Sequence, residues 1–110
     1  MSEAIDPQRA VDFIRDSAKP LAIAIGNRIY VEEYRKTLKA LLMKKHSEKS
    51  VAAQEVEAYA HPEYQAHLLA IQAAVEAAEM LKWQMIAAQA RVEVWRSQEA
   101  SGRAMDRATR

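Results

Sequence analysis

The stretch PEYQAHLLAIQAAVEAAEMLKWQMIAAQARVEVWRSQEAS, residues 62–101, decides the fold. Between Pro62 and Gly102 it contains no other proline or glycine, and alanine, glutamine, glutamate and leucine dominate it. These residues lose little on entering a helix. About 40 residues at roughly 1.5 Å each predict a rod of roughly 60 Å. Apolar positions recur at Tyr64, Leu68, Ile71, Val75 and Ala78, then at Leu81, Met85, Ala88, Val92 and Trp95. The steps alternate between four and three, with one extra step of three between Ala78 and Leu81. That pattern is a heptad seam with a phase slip. A lone helix cannot bury such a seam. Leu68, Ile71, Val75, Leu81, Met85, Val92 and Trp95 are therefore expected to pack on another helix of the chain, on a second copy, or on both.

Upstream, the segment VAAQEVEAYA reads as a short helix over 50–60, capped by Ser50 and interrupted by His61-Pro62. Residues 47–50 form the loop before it. A helix over 20–46 is expected from Ile23, Ile29 or Tyr30, Tyr34, Leu38, Leu41 and Leu42, which recur near the helical period. The rival there is a strand pair with a turn at Gly26-Asn27. Helix is preferred because the flanks do not alternate and an isolated hairpin has no sheet to join. Asp6-Pro7 opens a helix over 5–18 with Val11, Phe13 and Ile14 on its apolar face, and Pro20 is expected to end it or to open the next. Residues 103–110 read as a basic tail, frayed or ordered only on a partner. The sum is one all-α domain over 1–110. It is a long-helix antiparallel coiled-coil hairpin with a short N-terminal helix, expected to assemble into an oligomeric helical bundle.

Composition agrees with this and narrows the chemistry. Gly 2, Pro 3 and 6% aromatics argue against a β-sandwich or barrel, and the absence of cysteine excludes disulfides, thiolate metal sites and thiol nucleophiles. That absence also fits a cytoplasmic location. The N-terminal residues lack an apolar core, so no signal peptide is expected, and PLAIAIGNRIYV is too short and polar to span a bilayer. No membrane partner is expected.

Candidate catalytic groups are sparse. His61, Glu63 and His67 in HPEYQAH offer a metal half-site, but no HExxH motif, second acidic pair or cysteine completes it. The bland reading makes His67 a surface side chain and His46 a helix-end cation. No serine lies in a GxSxG context, and two glycines cannot build a phosphate-cradling loop. Asp12 with Asp16, and Glu76 with Glu79, read as solvated faces. No enzyme activity, metal or cofactor is expected.

Net charge is only +1, yet the charge is sorted into blocks. Residues 35–49 hold six bases and one acid, residues 50–80 five acids and no Lys or Arg, and residues 81–110 six bases and three acids. Two basic regions follow: Arg35, Lys36, Lys39, Lys44 and Lys45, and then Arg91, Arg96, Arg103, Arg107 and Arg110. Arg96, Arg103, Arg107 and Arg110 are spaced seven, four and three apart, which puts them on one helical face. Both regions are candidate nucleic-acid contacts through phosphate. The alternative is that these bases pair with the acidic 50–80 block or solubilise helix ends. Trp83 and Trp95 are packing anchors first, although Trp95 could stack on a base.

The stretches AYAHPEYQ and RVEVWRSQEASGRAMDRATR resemble a group of small helical proteins of tailed bacteriophages and prophages. The resemblance runs from YVEEYRKTLKALLM onward. It implies work inside a bacterium in an early, recombination or replication setting, and brings no catalytic residue. Two functions follow as expectations. The first is a non-catalytic accessory protein that binds DNA through its basic helix ends. The second is an adaptor or inhibitor that docks on a phage or host enzyme.

Overall fold

A computed structural model describes residues 4–109, and these form three α-helices with no strand among them. They are α1 (Pro7–Lys44), α2 (Val51–Ala60) and α3 (Pro62–Thr109). The all-α expectation holds. The chain divides into two compact units, one of Met1–Leu21 with Met80–Arg110 (the terminal unit) and one of Ala22–Glu79 (the central unit).

Helix α1 starts where the sequence places it. Asp6 Oδ1 accepts a hydrogen bond from the Arg9 N–H at 3.1 Å, while the Asp6 carbonyl accepts from Ala10 at 3.2 Å. Pro7 fills the first helical position, where its missing donor costs nothing. The expected break at Pro20 does not occur. The expected helices 5–18 and 20–46 are one, with Pro20 inside it. Pro20 and Asp16, whose carbonyl loses its donor, are both exposed, so water can take the donor's place. Gly26 likewise sits in regular helix without positive φ, which removes the hairpin alternative at Gly26-Asn27.

The turn after α1 is closed by Lys45 N–H to Leu42 O and His46 N–H to Met43 O, at 3.2 and 3.0 Å. Ser50 caps α2, its Oγ accepting from the Ala53 N–H at 3.2 Å. The junction to α3 is a single residue. His61 N–H donates to Ala58 O and finishes α2, while its Nδ1 accepts from the Glu63 N–H at 3.1 Å and starts α3.

In the central unit, α1 and α3 run antiparallel: Lys45 meets Glu63, Tyr34 meets His67, and Arg28 meets Glu79. The core is Leu38, Leu42, Ala58 and Tyr64, with Tyr34 and Met43 packed against it, and Leu42 is the one large side chain fully buried among the described residues. Along α1 the covered face holds Ala24, Ile25, Arg28, Val31, Tyr34, Leu38 and Leu42, whereas Ile23, Ile29, Tyr30 and Leu41 are exposed. The expected apolar face of this helix was thus half right.

The seam of α3 needs a similar correction. Its covered positions are Tyr64, His67, Ile71, Ala74, Ala78, Leu81, Met85, Ala88, Val92 and Trp95. These alternate steps of three and four throughout, with no slip. Ala74 is buried where Val75 is only half-buried, and His67 is covered where Leu68 is exposed. Position in the heptad decides burial here, ahead of side-chain size.

The terminal unit is built differently. Its buried side chains are Ala10, Ser17 and Ala88, flanked by half-buried Ile14, Leu21, Leu81, Met85, Val92 and Trp95. Val11 and Phe13, expected on the apolar face of the first helix, are exposed. Helix α3 continues through Gly102 to Thr109, so the expected tail is helical up to that residue. Every residue from Arg96 to Thr109 is exposed.

Candidate interaction surfaces

The basic and acidic blocks of the central unit largely neutralise one another. Lys39 Nζ lies 3.4 Å from Glu55 and 4.8 Å from the centre of the Tyr59 ring. Lys45 pairs with Glu63 at 3.7 Å and Lys49 with Glu57 at 2.9 Å. Lys36 pairs with Glu33 at 3.1 Å on its own helix. Arg28 reaches both Glu32 and Glu79 at 3.8 Å. The hydrogen bond from Lys49, its charge and then that of His46 hold the Glu57 carboxyl below the usual range. The Lys39 ammonium is raised, first by its hydrogen bond with Tyr59 and then by Glu55, against the opposing cost of desolvation. Of the first expected nucleic-acid region, Arg35 and Lys44 alone are exposed without an ion pair among the described residues.

The second basic region splits in two. Arg96, Arg103 and Arg107 fall within a sector of about 40° at 100° per residue, on the exposed end of α3. Arg96 pairs with Glu93 at 3.5 Å, and Arg103 and Arg107 carry no ion pair among the described residues. Arg110 lies outside the described residues. Arg91 stands about 140° round the helix from Arg96 and belongs to another feature.

That feature is a groove of about 670 Å³ in the terminal unit, between the start of α1 and the middle of α3. Ile5, Ala10, Phe13, Ala87 and Ala88 supply its apolar lining, and Asp6, Arg9, Gln84 and Arg91 its polar one. Sequence reasoning passed over Arg9 and Phe13 as part of a site, because only the pairing of α1 with α3 brings them to Arg91.

A third surface is apolar. On the side of α3 turned away from the seam, Met80, Trp83, Val94 and Met105 are 58%, 60%, 48% and 69% exposed. Ala87 and Ala90 lie between them on the same side. A shallow depression over Val94, Ser97, Ser101 and Met105 continues the ridge toward the helix end.

The histidines turn out to be structural. His67 Nε2 donates to the Val31 carbonyl at 2.6 Å, and its ring packs 5.5 Å from that of Tyr34. It is not the surface side chain that the sequence suggests. His61 is committed to its double cap, and His46 lies 3.9 Å from both Glu48 and Glu57. Among the described residues no three His, Cys, Asp or Glu side chains group to hold a metal ion. Asp12 and Asp16 both pair with Arg15, at 3.6 and 3.1 Å. No helix of the described residues is long and apolar enough to cross a membrane. No protein-family model, curated protein or solved structure matches this chain.

Proposed function

We propose that the chain is a non-catalytic interaction protein, an adaptor or inhibitor that docks on another protein through the terminal unit. One observation carries this reading. Among the described residues that unit buries only two alanines and a serine, while Phe13, Met80, Trp83, Ile86, Val94 and Met105 stay exposed. Large exposed apolar side chains on so thin a core mark a surface meant to be covered. The phage resemblance supplies the setting, a phage or host protein in the bacterial cytoplasm. A second copy of the chain is the other occupant of the same ridge.

Photo-crosslinking from position 94 separates these occupants. A crosslink to a different host or phage protein, lost when Met80 and Trp83 are changed to Ser, supports the adaptor reading. A crosslink to the chain itself makes it a homo-oligomer, as sedimentation would then show. No crosslink to either removes the ridge from consideration.

Nucleic-acid contact is kept as a second reading because Arg96, Arg103 and Arg107 line one face of an exposed helix end. The central unit weakens it, since Lys36, Lys39 and Lys45 are occupied by carboxylates. Gel retardation of single- and double-stranded DNA at ~50 mM salt, where phosphate contacts are strongest, is the check. No retardation ends this reading.

A further inference from the structure

The geometry points to the groove between the start of α1 and the middle of α3 as the seat of an acidic, apolar peptide segment of a partner protein. This rests on the reading of the terminal unit as a docking module and adds the chemistry of what docks. Arg9 and Arg91 both line the groove, and neither has an ion pair among the described residues. Arg35, Lys44, Arg103 and Arg107 are also without one, but none of them lines this groove. The Asp6 carboxylate also lies in the lining, but it is engaged in capping α1 through the Arg9 N–H. Two guanidinium groups beside an apolar floor suit a carboxylate carried next to a leucine or phenylalanine. Each guanidinium presents forked donors that match carboxylate geometry. Phe13, 37% exposed, and Ile5 supply the apolar contact. Nucleic acid fits less well, because a phosphate backbone calls for a run of cations and gains nothing from an apolar floor.

The full, isotope-labelled chain is titrated at ~50 mM salt with a blocked peptide that alternates glutamate with leucine and phenylalanine. The amides of Arg9, Phe13, Ala87 and Arg91 are expected to move. The same peptide with glutamine for glutamate is expected to bind about tenfold more weakly, about 1.4 kcal/mol. Arg9→Gln combined with Arg91→Gln gives the same loss with helicity unchanged. If helicity falls in that variant, the comparison of the two peptides on the unaltered chain decides. Equal affinity for both peptides overturns the assignment, and so does unaltered affinity of a folded double variant. A thymidine oligonucleotide that moves these amides at lower concentration also overturns it, since the arginines then serve phosphate. The serine variants at Met80 and Trp83 leave the peptide titration intact, so the ridge and the groove fail separately.

Discussion

The imidazole of His67 crosses from α3 to a carbonyl of α1 that already accepts a helical bond, using that oxygen's second lone pair. Its ring also fills space beside Tyr34. The two roles are separable. His67→Phe keeps the ring packing and loses the donor, at a cost of about 1 kcal/mol, because Val31 O keeps its helical partner. His67→Ala loses both and costs about 2–3 kcal/mol. Urea midpoints measure the difference, and equal losses would show that the ring packing contributes nothing. Gly26 works in the other direction. It is exposed and helical, and open space surrounds the position of an added Cβ. Gly26→Ala should therefore stabilise the chain by roughly 1 kcal/mol. A residue whose glycine is required for a turn would instead lose stability on the same change. Glu57 adds a pH dependence. Its folded carboxyl titrates below the unfolded value, so the stability it contributes is present above about pH 4.5. That stability is lost as pH falls through the lower folded value. Glu57→Gln should flatten the acid limb of the stability–pH curve between those two values, as thermal melts would register.

Helix α1 carries a proline where its sequence promised a boundary. The rule that proline ends helices rests on a lost hydrogen bond and a steric clash, together about 3 kcal/mol in a helix interior. Pro20→Ala should raise stability by an amount of that order or somewhat less, since the helix already runs unbroken through this position and the carbonyl of exposed Asp16 can bond water. An unchanged melting temperature would mean that the flanking turns are held by packing alone. Local signals were otherwise a good guide to the elements. The caps at Asp6 and Ser50 and the interruption at His61-Pro62 were all legible, because each depends on neighbours within four residues. Which face each helix buries was less so. Ile23, Tyr30 and Leu41 look like core residues by type, yet the heptad position of Ala24, Arg28 and Val31 governs. The choice of Ala74 over Val75 has the same origin, since a small side chain at a seam position suits a close helix approach. The groove at Arg9 and Arg91 was not legible at all, because those residues are 82 apart in sequence. Only helix pairing brings them to one place.

The two units differ in what holds them. The central unit has Leu38, Leu42, Ala58 and Tyr64 closed over by α2. Among the described residues the terminal unit has no comparable cluster. Amide exchange should therefore be graded along single helices. Protection is expected to be high over 34–42 and 64–78 of α1 and α3, falling over 80–95 and least over 96–109. Uniform protection along α3 would contradict this. Binding of a partner, or of a second copy, should raise protection over 80–95 with little change over 64–78. The charge blocks fit the same division. In the central unit they link α1, α2 and α3 through exposed and half-buried pairs, each worth at most about 1 kcal/mol. Added salt should weaken these links slightly and leave the leucine–tyrosine core unaffected.

The single-residue junction at His61 also governs where the chain can be cut, lengthened or tagged. Because one residue ends α2 and begins α3, there is no slack in which an inserted sequence could be looped out. The stretch 45–50 is the sole internal one of the described residues without regular helix, apart from that junction. Even there the side chain of Gln54 holds the Lys49 carbonyl at 2.8 Å. A short glycine–serine insert after Ser47 should be tolerated, and a reporter could be placed there. The same insert between His61 and Pro62 should break the start of α3, where the Glu63 N–H donates to His61 Nδ1, and leave the His61 N–H to Ala58 O bond of α2 in place. As an engineering scaffold, the described residues offer one permissive internal port.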